Sequence, residues 1–137
     1  MSKFDDIEDE YVNIPLVQGV FLSRDDDGTP RSNVPHLIMH HSPKGYEWSY
    51  DGDAPADLSL NILENVLRQS HYNGEIIHIG GTHIFHMAWT LHQPFVHRFI
   101  ARVGLEGGKI EYETIILWLA EQITAMQEAA AQKAAGK

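Results

Sequence analysis

Nine histidines stand out among the residues able to do chemistry: His36, His40, His41, His71, His78, His83, His86, His92 and His97. They nearly equal the ten lysines and arginines combined. Neutral imidazoles that converge hold metal ions, with a carboxylate or water completing the shell. The spacing gives little support to that use. His83 and His86 meet on one face only if their segment is helical. Adjacent His40 and His41 point to opposite faces of a strand. No H-E-x-x-H pattern occurs. The histidines therefore read as partly exposed strand and loop residues that pack through their rings, and no metal ligand or cofactor is assigned.

Two further groups bear on binding. Tyr46, Trp48 and Tyr50 recur at period two, so a strand would place all three rings on one face. Such a row stacks a base or a peptide, or packs as core against a following helix. Trp48 is assigned to the core, and Tyr46 and Tyr50 to a ligand-facing rim. Arg98 and Arg102 lie one turn apart on an expected helix, with Lys109 close in sequence. Guanidinium forks take carboxylates and phosphates through paired N–H donors. The competing use is pairing with Glu106, Glu111 or Glu113 inside the chain, which contributes little stability at a surface.

Signs of catalysis are sparse. Ser42 and Ser59 have no nucleophile-elbow context. Asp51, Asp53 and Asp57 lack calcium-loop spacing and a closing glutamate, so they read as turn and cap residues. Cysteine is absent, which removes disulfides, thiolate metal sites and thiol nucleophiles, and fits a reducing, cytoplasmic setting.

The net charge of −9 is uneven. Residues 1–27 hold eight acids (Asp5, Asp6, Glu8, Asp9, Glu10, Asp25, Asp26, Asp27) against Lys3 and Arg24, a net of −6. A protein that coats duplex phosphates needs the opposite balance. The nearly balanced remainder still leaves room for a local cationic pocket. No apolar run reaches the length of a membrane span, and the acidic start is unlike a signal peptide.

The 137 residues suit one domain over 11–128, with an acidic lead at 1–10 and a fraying Ala-rich tail at 129–137. Tyr11–Leu22 reads as an edge or bulged strand interrupted by Pro15 and Gly19. Asp25-Asp26-Asp27-Gly28 turns the chain into a second strand, Asn33–His41. Ser42-Pro43-Lys44-Gly45 is another turn, followed by the aromatic strand. A helix over Pro55–Gln69 starts at an Asp53 or Ala54 cap, with Leu58, Ile62, Leu63 and Val66 as its apolar stripe, widened by Leu60 and Leu67. Glu75–Ile79, Gly80-Gly81 and Thr82–Met87 read as a hairpin, although Ile84, Met87, Ala88 and Leu91 also fit helical spacing. Helices follow at Leu91–Val103, with Pro94 expected in the first turn, and at Glu111–Gln127, with Ile115, Leu119, Ile123 and Met126 inward. The fold class is α+β: an antiparallel sheet from the N-terminal half with about three helices packed on it.

The segment Ser42–Leu63, SPKGYEWSYDGDAPADLSLNIL, resembles the centre of an uncharacterised family of small phage and bacterial proteins. That centre reads S-P-x-G-[FY]-x-W-G-Y-G-G-S-G-P-A-x-L-A-L. Ser42, Pro43, Gly45, Tyr46, Trp48, Tyr50, Gly52, Pro55, Ala56, Leu58 and Leu60 fall on it. Leu91–Val103 and the helix containing Trp118 are similar to the family's C-terminal half, while Ile76–Met87 looks like an insertion. Ser49, Asp51, Asp53 and Ala54 replace family Gly, Gly, Ser and Gly, which weakens this loop as an anion cradle. The resemblance carries no established activity. Its phage association implies counter-defence.

These readings combine into an expectation of a non-enzymatic, homo-oligomeric binding protein. It would sequester a small nucleotide-like signal by aromatic stacking on Tyr46 and Tyr50 and anion contacts from Arg98 and Arg102. One alternative is a protein–protein inhibitor, such as an anti-CRISPR, that presents its acidic surface to a host defence protein. The other is a metal-dependent hydrolase using clustered histidines.

Overall fold

The computed structural model describes residues 14–42 and 45–136. The expected acidic lead, the first residues of the Tyr11–Leu22 strand, Pro43 and Lys44 of the second turn, and Lys137 fall outside these. The fold is α+β. Strands β1 (Val20–Arg24) and β2 (Pro30–Ser32) form a hairpin, and helix α1 spans Asp53–Gln69. Strands β3 (Ile76–Ile79) and β4 (Thr82–Phe85) lead into helix α2 (His86–Arg98). Strand β5 (Gly108–Ile110) and helix α3 (Tyr112–Ala135) complete the order. An antiparallel three-stranded sheet runs β2-β1-β5, and β3-β4 forms a separate two-stranded sheet.

The hairpins form where the turn chemistry places them, but the strands are shorter than expected. Leu16–Gln18 is a 3-10 turn, so β1 begins only at Val20. The return strand stops at Ser32 rather than covering Asn33–His41. Asn33 ends the ladder: its side-chain oxygen accepts the Phe21 N–H (2.8 Å) and its amide donates to the Gly19 carbonyl (2.9 Å). A side chain thus replaces the next backbone bond. The third strand of this sheet comes from the far end of the chain, with Val20 opposite Ile110 and Leu22 opposite Gly108.

The segment around Tyr46, Trp48 and Tyr50 is not a strand. Ser49 has φ of +79°, a left-handed conformation that breaks the period of two. Tyr46 and Trp48 are buried in the core, and Tyr50 is half-exposed.

Helix α1 is the centre of the molecule. Every residue from Pro55 to Leu67 is buried, the polar ones included. The expected stripe is present: Leu58, Ile62, Leu63 and Val66 are all fully enclosed. The correction concerns the opposite side, where Asp57, Asn61, Glu64 and Asn65 are buried too. Buried polar groups persist when hydrogen-bonded, and here the partners are backbone. Asp57 accepts the N–H groups of His40 (3.2 Å), His41 (2.8 Å) and Ser42 (2.7 Å). Asn61 accepts from Leu37 (2.7 Å) and Ile38 (3.0 Å) and donates to the Ile38 carbonyl (2.8 Å). Asn65 donates to the Pro35 carbonyl (3.1 Å). Spaced by four, these side chains form one row along the helix and strap residues 35–42 to it. That is why this stretch has no strand partner.

The choice between strand and helix over 82–91 is made at Phe85. The buried Glu64 carboxylate accepts the Phe85 N–H (2.7 Å), while Arg68 holds the other carboxylate oxygen (2.7 Å) and donates to the His83 carbonyl (3.0 Å). The chain pairs as a strand up to this anchor and turns helical immediately after it. Helix α2 thus starts earlier than the expected Leu91, and Pro94 lies well inside it rather than in its first turn. The carbonyl that Pro94 leaves without a donor belongs to Thr90, and both residues are exposed, so the break falls on the outer side of the helix. Beyond Arg98 the chain makes a 3-10 turn, Ile100–Arg102. Helix α3 passes the expected end at Gln127 and continues to Ala135. Only Ile115, Trp118 and Leu119 of it are buried, and Met126 is exposed, because the helix outruns the body it packs on. Among the described residues, no helix is long and apolar enough to cross a membrane.

Candidate functional site

The end of α2, the 3-10 turn, β5 and the start of α3 enclose an open cleft of about 420 Å³. Ligand clefts commonly fall in this size range. Arg98, Arg102 and Lys109 line it, together with Phe99, Val103, Ile110, the backbone of Gly104, Gly107 and Gly108, and Glu111 and Thr114 at the entrance to α3. Three cations converge here in a chain of net charge −9.

Local structure explains the convergence. Arg98 ends α2, and the 3-10 turn brings Arg102 back beside it. Lys109 sits opposite Phe21 in the β1–β5 ladder and lies over the Phe21 ring, 5.2 Å from its centre. Gly107 allows the wall to close. Its φ is +115°, and a β-carbon there would lie 2.1 Å from the Leu22 carbonyl oxygen. Among the described residues, Arg98 and Arg102 form no ion pair with any carboxylate. Arg102 donates to the His97 carbonyl (3.3 Å), and Arg98 lies over the Phe99 ring. The expected competition from glutamate involves Lys109 instead, which pairs with Glu111 at 3.3 Å. Both guanidinium groups therefore retain donor capacity for an anion.

The aromatic residues sit elsewhere. Tyr46 is only 7% exposed, and its hydroxyl donates to the Pro35 carbonyl (3.0 Å). His36 stacks on its ring at 3.9 Å, and burial pushes the hydroxyl pKa upward, keeping it protonated. Trp48 is fully buried, as expected of a core residue. Its ring N–H donates to the Leu105 carbonyl, and Arg24 covers its face while pairing with Glu47 at 2.6 Å. Tyr50 is 49% exposed. The loop carrying it is tied to the turn after α2 by the Ser49 N–H on the Ile100 carbonyl (3.0 Å) and by Asp51 beside His97 (3.4 Å). Tyr46 and Tyr50 are not among the cleft-lining residues, so the structure joins the two arginines but not the two tyrosines.

Several of the histidines cluster in two places. His40 and His41 surround Trp89 and His92 on α2, with the His41 and His92 Nε2 atoms 3.1 Å apart. On the β3–β4 hairpin, His78 and His83 face each other across the strands at 4.0 Å. Among the described residues, no group of three or more His, Asp or Glu converges to hold a metal ion. What sequence reasoning missed is the polar row Asp57, Asn61 and Asn65. Its signal is present in the sequence: three amide or carboxylate side chains at a spacing of four within one helix.

Residues 16–78 match DUF6166, a family of unknown function. The DUF6166 match covers somewhat less than half of the chain. It includes β1, β2, the strap and α1, and it contains the Ser42–Leu63 segment. It ends before α2, so the cationic cleft is built from residues beyond the matched region. Comparison with curated proteins and with solved structures found no match.

Proposed function

We propose that this protein binds and sequesters a small anionic, nucleotide-like molecule in the cleft of Arg98, Arg102 and Lys109, without catalysing a reaction. The observation that carries the reading is a pair of guanidinium groups with no carboxylate partner among the described residues, in an open cleft of an otherwise acidic chain. The Gly107–Gly108 backbone forms part of the cleft wall. Phe99 and Val103 offer apolar surface beside the cations. A phage counter-defence role follows if the ligand is a host signal. The reading includes self-association, supported by Leu117 exposed on α3. Sedimentation equilibrium tests that part, and a strictly monomeric protein would remove it.

Titration calorimetry with mononucleotides and cyclic dinucleotides tests the main claim, with inorganic phosphate and an uncharged nucleoside as controls. At least one nucleotide is expected to bind, and the nucleoside is not. Each hydrogen bond to a charged group is worth roughly 1.5–3 kcal/mol. Arg98→Ala or Arg102→Ala should therefore weaken binding about tenfold or more, and the double variant about 100-fold. Equal affinity in the double variant, or no binding by any nucleotide, rejects the proposal. A nucleotide held by paired donors loses affinity only moderately with added salt, whereas a complex driven by the acidic surface weakens steeply.

A further inference from the structure

The histidine cluster on α2 points to a second device, independent of the cleft. The strap, residues 35–42, has no strand or helix of its own. It is held to α1 by Asp57, Asn61 and Asn65 and to α2 by His41. The bond to α2 has a defined polarity. His92 is 3% exposed, and its Nδ1 faces the Trp89 carbonyl. A carbonyl only accepts, so Nδ1 carries the hydrogen, and Nε2 of the neutral ring presents its lone pair. The His41 Nε2, 3.1 Å away, is then the donor.

We infer that residues 35–42 form an acid-released strap, latched to α2 by the His41–His92 imidazole pair. One added proton leaves the latch intact, shared between an imidazole and an imidazolium. A second leaves two N–H donors facing each other with no acceptor, and two positive charges in contact. The groups facing the pair come from three elements. His40 belongs to the strap, Asp57 to α1 and Trp89 to α2. Trp89 contributes only its ring and carbonyl. Asp57 is the sole carboxylate among these groups, and its oxygens already accept three strap amides. It opposes release, whereas His40 disfavours a charge on His92.

Burial holds the pKa of His92 below the usual histidine value; the neighbouring His41 and His40 add to this, while the Trp89 carbonyl and Asp57 oppose it. Burial also lowers His36, with Asp57 opposing. Both groups thus favour the closed strap while neutral. Their contribution is complete above about pH 6.5, the ordinary histidine value. Below it the open form takes up protons first, so stability of the closed form falls until the pH passes the depressed values.

Residue-resolved amide exchange by NMR at pH 7.5 and pH 5.0, corrected for intrinsic rates, tests this on the full chain. Protection of the His40, His41 and Ser42 amides is expected to fall at least tenfold at pH 5.0. Protection of Ile62 and Leu63 in α1 should hold. His92→Gln should reduce the pH effect to less than about threefold. If that variant does not fold, His41→Gln, altered on the more exposed side, serves the same purpose. Constant protection of residues 40–42 over this range overturns the inference. So does a tenfold loss that persists in the folded glutamine variant.

Discussion

Asp57→Ala is expected to destabilise the protein by about 3–5 kcal/mol, because buried backbone donors lose their acceptor at roughly 1–3 kcal/mol each. The carboxylate is 2% exposed and takes three consecutive backbone N–H groups, those of His40, His41 and Ser42. Alanine leaves these donors without partners, and each one that stays buried costs roughly 1–3 kcal/mol. Water reaching the strap from its outer side recovers part of that. Asp57→Asn should cost less than half as much, because its carbonyl oxygen keeps one or two of the bonds. Urea unfolding measured for both variants checks this. Two losses of equal size would mean that the hydrogen bonds to the strap are not the cause. A loss below about 1 kcal/mol for Asp57→Ala would remove the strap's anchoring role for Asp57 altogether.

Gly107→Ala is the second large effect, at roughly 2–5 kcal/mol, within the range for overpacking combined with backbone strain. The added β-carbon would lie 2.1 Å from the Leu22 carbonyl oxygen and 3.0 Å from the Ser23 α-carbon. These are backbone atoms of β1 and cannot rotate away. Relief requires β5 to move off β1, breaking the Leu22–Gly108 pairing and displacing Lys109 from the cleft. Two other glycines separate the causes. Gly28 has φ of +88° with open space around its β-position, so Gly28→Ala should cost only about 1 kcal/mol, from conformation alone. Gly104 has its nearest neighbour at 3.9 Å, and Gly104→Ala should be close to neutral. Denaturant midpoints for the three variants test this order, and a Gly107→Ala midpoint no lower than that of Gly28→Ala contradicts it.

The cleft is partly legible in the amino-acid sequence. Spacing groups Arg98 and Arg102 with Lys109, and folding brings all three to one cavity. The freedom of Arg98 and Arg102 from glutamate is not legible there, because Glu106, Glu111 and Glu113 stand as near in sequence as Lys109 does. Which carboxylate meets which cation depends on how the 3-10 turn and β5 direct the side chains. The aromatic row shows the opposite case. Period two describes Tyr46, Trp48 and Tyr50 correctly as a spacing, but the segment is not a strand: Ser49 is left-handed, and Tyr50 beyond it is half-exposed while Tyr46 and Trp48 are buried.

Turn signals and apolar periodicity determined most of the elements. Asp25–Gly28 and Gly80-Gly81 specify local backbone geometry, and local geometry needs no distant partner; the start of α1 is read only to within two residues, its cap being Gly52 rather than Asp53 or Ala54. The tertiary structure alone decided where polar groups find satisfaction. Asn33 ends a strand, Glu64 switches a strand to a helix, and Asp57, Asn61 and Asn65 turn the polar side of α1 into the anchor for a strap. Each bond joins a side chain to backbone well separated in sequence, so neither residue's neighbours reveal it. The nine histidines belong to this second class: whether an imidazole packs, donates or accepts is set by the groups folding brings against it, as His41 and His92 show.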